Sequence, residues 1–342
     1  MKQTLVTIRL KVNNMQINIS HSLKLSLSLL FSLLVIGCDK PPEENSQQGK
    51  IQHLSQSVSV VDFTGTTITL PRPAQRIVAL APHIVENVFS AGAGDRLVGV
   101  VDFSYFPEEA KKIPIIGGYK ALNLERIIEL KPDLIIAWES GNSHNSYSQL
   151  QELGFTVYVD QPHELKDVVK SIKDVGILSG TQSHADKISN DYLSALAEIR
   201  QANLNKPKVT SFYQVWNQPL RTISSKSIIT DAMAICGGVN IYHDEIPVAP
   251  VINIESLIER DPVAIFASGM SSARPEWLDD WKKWPSLQAV QKNNLFFVDP
   301  DHIQRHTVRL LLAINTICEQ LDTARNRQIL QKKHNIQNLK VK

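Results

Sequence analysis

The sequence predicts an α/β protein of two Rossmann-like lobes with parallel-type sheets, joined by a long rigid helix. Two observations carry that expectation. A sixteen-residue pattern occurs twice, as NLERIIELKPDLIIAW (Asn123 to Trp138) and NIESLIERDPVAIFAS (Asn253 to Ser268), 130 residues apart. Strand signals also alternate with helix signals on both sides of one stretch that is helical throughout. Each copy of the repeat reads as an Asn cap, a short helix, a tight turn at Pro and a buried strand. Copies this far apart mean twin lobes and not a solenoid, whose period is much shorter. Twin lobes enclose a cleft, and clefts between domains take small ligands.

The elements follow in order. Residues 1–38 are a leader: Lys2, Arg9, Lys11 and Lys24 precede an apolar run from Leu25 to Ile36, too short to span a bilayer comfortably. It ends in Leu34-Val35-Ile36-Gly37-Cys38, which resembles a bacterial lipobox and implies that Cys38 becomes a lipidated first residue. Met15 offers an alternative start. Asp39 after the Cys implies retention at the inner membrane, and residues 39–57, rich in Pro, Glu, Ser, Gln and Gly, form a flexible tether. The first lobe, 58–164, opens with a hairpin from Val60 to Leu70 and a buried strand from Arg76 to Pro82. A helix from His83 to Ala91 stops at Gly92-Ala93-Gly94, and the strand LVGVV leads into a loop with Phe103, Tyr105 and Phe106. The first repeat copy, a helix from Tyr147 to Leu153 and the strand FTVYVD complete it. Residues 165–203 are the connecting helix, with Ile188, Leu193, Leu196 and Ile199 on one face. The second lobe, 204–323, restarts with KVTSFYQVW, runs through a helix to Cys236, a Gly237-Gly238 stop, the second repeat copy and the strand NLFFVD, and closes with a helix from Gln304 to Leu321. Trp277, Trp281 and Trp284 read as the packed side of a lobe helix. Residues 324–342 are a polar tail expected to fray. A weaker echo of duplication pairs HIVENVFSAGAG with SIITDAMAICGG.

Composition narrows the function. Without the leader, about 300 residues suit two domains of ordinary size. A formal net charge of +2 excludes an electrostatic case for nucleic acid, and a monomer is expected. Cys236 and Cys318 remain after Cys38; in an exported chain they are most simply a disulfide, the other possibility being two buried thiols. No phosphate loop, nucleophile elbow or HExxH run is present, so the chain does not read as an enzyme, and no catalytic residue or cofactor is assigned. His302 and His306 stand four apart on an expected helix, and His83 starts another. Converging, they would make a metal-dependent surface protein, a reading of a different class; most such His pairs are incidental, and no metal site is assigned.

The lipobox, the twin lobes, LERIIELKPDLIIAW and the helical connector together resemble a class III solute-binding protein of an ABC importer, over about Ser59 to Leu321. The segments VALAPHIVENVFSAGAGDRLVGVVDFS, LNLERIIELKPDLIIAWESGN, ICGGVNIY and DHIQRHTVR are most similar to the cobalamin-binding members of that group. The KPDLIIAW-type segment is shared with ferric-siderophore and haem binders, which form the alternative within the class. The resemblance implies a periplasmic protein, lipid-anchored to the inner membrane, that captures a corrinoid such as cobalamin between its lobes and delivers it to the permease dimer. It implies permease docking by Glu125 and Glu255. It implies ligand contacts from Phe103, Tyr119, Trp138 and Trp216, with Asp301 and Arg305 as a polar pair. The sequence departs from the pattern at Tyr119 and at Ala249, each standing where the family has Trp.

Overall fold

The computed structural model describes residues 57–142, 144–270 and 273–340, with side chains to 331. The expected leader with Met15 and Cys38, and the tether up to residue 56, lie outside the described residues.

The expected hairpin forms as β1 (Val58–Val61) and β2 (Thr67–Leu70), antiparallel, its turn closed by Asp62, whose Oδ1 accepts from the Thr64 and Thr66 amides. The first parallel sheet comprises β3 (Ile77–Ala79), β4 (Leu97–Val100), β7 (Leu134–Trp138) and β8 (Val157–Asp160), in the order β4-β3-β7-β8. Between β4 and β7 lies a short hairpin of β5 (Gly117–Gly118) and β6 (Ala121–Leu122). The second parallel sheet comprises β9 (Val209–Gln214), β10 (Gly238–Asn240), β11 (Ala264–Ala267) and β12 (Leu295–Phe297), in the order β10-β9-β11-β12. The two sheets therefore share one topology, and the duplication legible in the sequence is a duplication of fold.

The repeat copies become α2 (Leu124–Glu129) with β7, and α7 (Ile254–Arg260) with β11. Both Asn caps form: Asn123 Oδ1 accepts from the Arg126 amide at 3.0 Å, and Asn253 Oδ1 from the Ser256 amide at 2.8 Å. The residue before each Pro, Lys131 and Asp261, has a positive φ of 46° and 37°, which turns the chain sharply into the strand.

The inner strands β3, β7 and β11 are covered on both faces, so their apolar runs do not alternate with polar residues. Leu134 and Ile136 of β7 face the same core as Ala264 and Phe266 of β11. Ile135 and Ala137 face a separate cluster with Ile127, Tyr147 and Leu150, while Ile265 and Ala267 face another with Leu257, Leu278 and Trp281. The shared core runs through α1 (Pro82–Ser90), α4 (Asp167–Ser179), α5 (Gln182–Asn203), α6 (Ile228–Ile235) and α10 (Leu310–Lys340), and so belongs to both sheets.

Three expectations are corrected. The connector expected as one helix over 165–203 is two helices, α4 and α5, packed on each other. The break is at Gly180, φ 68°, where the Thr181 amide bonds Gly176 O and the Gly180 amide bonds Ile177 O, the Schellman arrangement that ends helices at a left-handed residue. Of the two, α5, about 33 Å long at 1.5 Å per residue, packs against the second half's α6 and α10. Next, the closing helix does not begin at Gln304. Asp299 caps a single turn, α9 (Pro300–Ile303), and the chain stays irregular until α10 starts at Leu310. Finally, the residues expected as a polar tail continue α10 to Lys340. Ala324 is fully buried, and the buried Arg325 donates to Pro207 O and Cys236 O, so polar side chains anchor the helix. Two further helices, α3 (His144–Glu152) and α8 (Gln288–Gln291), lie outside the shared core.

A polar cluster also ties the halves. Glu86 of α1 is 2 % exposed, and its Oε1 accepts from Arg305 at 2.9 Å and Arg309 at 3.0 Å while Oε2 accepts from Thr307 Oγ1. Asn87 Nδ2 donates to His306 O beside it. Burial raises the Glu86 pKa, and the two guanidinium groups pull it back only in part. A carboxyl raised on folding contributes stability in full below its unfolded value of about 4.3, and that contribution is lost as pH rises through the folded value. Glu86→Gln should therefore flatten the pH dependence of thermal unfolding above about pH 4.3; an unchanged slope would show that Glu86 titrates like an exposed carboxylate. Cys236 at the end of α6 and Cys318 in α10 form a disulfide. Replacing both with Ser should lower the urea-unfolding free energy by about 2–4 kcal/mol, and coincident unfolding curves would remove that role.

Candidate functional site

In an open parallel sheet, ligands sit beyond the strand carboxyl ends, at the point where the strand order reverses. In the first sheet that point lies between β3 and β7, and the residues there are His83, just after β3, and Trp138, at the end of β7. In the second sheet it lies between β9 and β11, and Trp216 follows β9.

Trp138 is half-buried and surrounded by rings. Its centroid is 5.0 Å from His83, 6.1 Å from Tyr119 and 6.2 Å from His306, the two histidines meeting it edge-on. The loop after β7 is shaped around it. A Cβ on Gly141 would fall 1.7 Å from Trp138 Cε3, so only glycine fits there. Asn142, buried, accepts from the Trp138 amide at 2.7 Å and donates to Leu80 O and Tyr119 O, joining the ends of β3 and β7 to the β5–β6 turn. The WESGN segment is thus the mount of one indole.

His83 is buried with Nε2 3.5 Å from Asp160 Oδ2, while the other carboxylate oxygen, Oδ1, accepts from Ser171 Oγ at 2.5 Å. His306 lies 5.3 Å from His83 ring to ring, and burial, reinforced by that neighbour, lowers its pKa to about 3, so it is neutral. His302 and His306 do not share a helix, because α9 ends at Ile303. Among the described residues no three His, Cys, Asp or Glu side chains gather as a metal would require.

Phe103 lies in the loop after β4, 58 % exposed, with φ 66°, a left-handed conformation that costs a bulky residue on the order of 1–3 kcal/mol. Its carbonyl accepts from Arg305 at 3.1 Å, and its ring meets Tyr105 edge-on. Phe106 lies under the Arg309 guanidinium at 4.2 Å. Arg305 also holds Asp301 at 2.8 Å. The pair expected from sequence is therefore present, with Arg305 shared between Asp301, Glu86 and the Phe103 loop. Trp216 is 42 % exposed and its Nε1 donates to Gln218 O. The loops beyond the strand ends of both sheets carry further exposed apolar side chains, Tyr105 in the first and Ile246, Val248 and Met270 in the second. The structure brings Trp138 and Tyr119 together, and Phe103, Asp301 and Arg305 together; Trp216 stands in the second half.

Glu125 and Glu255 are exposed, each in the first turn after its Asn cap. Neighbouring charges are committed elsewhere: Arg126 bonds Glu129 at 2.9 Å, and Arg260 bonds Asp244 at 3.0 Å. Among the described residues neither carboxylate has an ion-pair partner.

Sequence reasoning missed Glu86, Asn142 and Gly141 as determinants. The signal for Glu86 was present: a Glu-Asn pair inside the otherwise apolar helix IVENVF is out of place on a buried face unless it meets opposite charge.

Comparison with known proteins agrees with this fold. Residues 77–302 match the family model described as periplasmic binding protein. The vitamin B12-binding protein of Vibrio cholerae (El Tor Inaba N16961) is 32 % identical over 263 residues, 77 % of this chain and 94 % of that one. The vitamin B12-binding protein of Vibrio vulnificus (CMCP6) is 35 % identical over 251 residues, 72 % of this chain and 90 % of that one. Among solved structures, the periplasmic vitamin B12-binding protein of Vibrio cholerae superposes with a TM-score of 0.68 at 32 % identity, covering 74 % of this chain and 98 % of that one. The periplasmic haem-binding protein of Roseiflexus sp. RS-1 gives 0.64 at 21 % identity, covering 73 % and 99 %, and so shares the fold. This chain belongs to the periplasmic binding protein family of ABC transport.

Proposed function

We propose that this protein captures a corrinoid, cobalamin or a close relative, between its two halves and delivers it to an ABC importer. The observation that carries the reading is Trp138, held at the reversal point of the first sheet by Gly141 and Asn142 and flanked by Tyr119. A corrinoid is a large, mostly apolar disc with an amide fringe. Flat aromatic walls bury such a disc, and a few polar groups at the rim, here Asp301 and Arg305, orient it. The identity to vitamin B12-binding proteins supports the same ligand class.

Delivery rests on Glu125 and Glu255. Two unpaired carboxylates on matched helix starts suit a two-fold-symmetric partner presenting arginines, because Arg grips carboxylates bidentately. On this reading the site of action is the periplasm, with lipid at Cys38 holding the chain to the inner membrane. One observation favours a haem as second ligand: the His306 and His83 rings beside Trp138 are the residue type that ligates iron.

Titrating purified protein with cobalamin should quench tryptophan fluorescence, and Trp138→Ala should weaken binding by about 1–3 kcal/mol. Quenching by hemin but not by cobalamin would reverse the two ligands, and unaltered affinity in a folded Trp138→Ala would return that ring to a packing role. Glu125→Ala with Glu255→Ala should leave affinity intact and abolish cobalamin uptake by cells; uptake at the wild-type rate would exclude docking through these carboxylates.

A further inference from the structure

A cavity of about 180 Å³ lies between the end of α5 and α6, lined by Arg200, Asn203, Leu204, Lys208, Asp231 and Ile235 among others. Lys208 directly precedes β9, so this wall stands at the amino end of the strand, whereas Trp216 lies beyond its carboxyl end. The cavity is therefore separate from the ring-lined strand ends.

Two of its lining groups are uncommitted cations. Nearby cations are paired: Lys206 meets Asp322 at 2.6 Å, and Arg325 meets the same carboxylate at 2.5 Å. Arg200 and Lys208 are exposed, and among the described residues neither side chain has an ion pair or a hydrogen bond. Two further lining groups are acceptors. Asp231 is half-buried; its Oδ2 accepts from the Leu165 amide at 2.9 Å, and it has no ion pair among the described residues. Asn203 is 5 % exposed. Its Nδ2 donates to Ile199 O at 2.8 Å and to Cys318 Sγ at 3.5 Å, while its Oδ1 is buried without a partner among the described residues. A buried acceptor left unpaired is costly, so a donor from outside the chain would complete it.

We propose that this cavity binds a small zwitterion, an anionic group joined to a primary ammonium. Arg200 and Lys208 meet the anion, and Asp231 and Asn203 Oδ1 accept from the ammonium. The volume suits a solute of a few non-hydrogen atoms and falls short of the ~300–1,000 Å³ of a drug-sized site. The site does not depend on the transport reading. A free amino acid and the phosphoethanolamine headgroup of a bilayer lipid share this chemistry.

Calorimetry and thermal unfolding of the full-length protein test the site, with O-phosphoethanolamine, L-serine and inorganic phosphate as probes. At least one zwitterion should raise the unfolding temperature and bind about tenfold or more tightly than phosphate. Arg200→Gln and Lys208→Gln should each weaken that binding about tenfold, and Asp231→Asn should narrow the margin over phosphate. Arg200 and Lys208 are exposed, so both Gln variants keep the fold, which near-ultraviolet circular dichroism verifies. Tighter binding of O-phosphoethanolamine than of L-serine assigns the lipid headgroup, and the reverse order assigns a free amino acid. The proposal is overturned if neither zwitterion binds at millimolar concentration, if phosphate binds as tightly as they do, or if both Gln variants keep wild-type affinity.

Discussion

One apolar core shared by two sheets is the constraint on which the rest depends. Leu134 and Ile136 of the first sheet and Ala264 and Phe266 of the second face into the same cluster, bridged by α4, α5, α6 and α10. Interiors pack at near-crystalline density, so elements with a common core cannot slide without losing contacts on both sides. The halves are therefore not beads on a string, and large hinge closure would open this core. The Glu86 cluster fits that constraint. α1 is buried on nearly every side, and a carboxylate there is tolerated because Arg305, Arg309 and Thr307 reach it from the other half. A helix packed on the first sheet thus carries a polar contact to the second half.

With spacing fixed, the strand ends decide what the molecule can hold. A protein whose apolar groups were all satisfied internally would not leave Phe103, Tyr105, Trp216, Ile246, Val248 and Met270 exposed beyond its strand ends. Phe103 makes the point most sharply, because it accepts an unfavourable backbone angle as well as exposure. The angle is over-determined by Arg305, which grips the Phe103 carbonyl with the same guanidinium that holds Glu86. Rim and clamp are one network.

How much of this was legible depended on whether the signal was local. The repeat, its caps and its Pro turns are written in contiguous residues, and Asn123 and Asn253 cap as expected. The reversal of strand order is not local, yet it follows once each copy is an αβ unit added to a parallel sheet. The break at Gly180 was visible as a glycine but lost in a long amphipathic pattern, because its effect comes from a left-handed turn and not from hydropathy. The polar tail misled for the opposite reason. Arg325 looks like a surface residue in composition, but its guanidinium satisfies the Cys236 and Pro207 carbonyls. The spacing of His302 and His306 suggested one helix face, and the helix ends between them. Glu86 could be flagged from sequence as misplaced, whereas its partners, more than two hundred residues on, could not.

The two reversal points are alike in topology and unlike in construction. Trp138 is mounted directly on a strand end, with a glycine cut to its shape and an asparagine bonded on three sides, so its plane is set by backbone. Trp277 rides on a 3₁₀ turn, a poorer hydrogen-bonding geometry than an α-helix. That turn is steadied from behind by Trp281 against Gln214 and at its edge by Arg274 with Asp279, at 2.8 and 2.9 Å. The first ring is therefore braced against main-chain groups through Asn142, and the second against side chains of its own half.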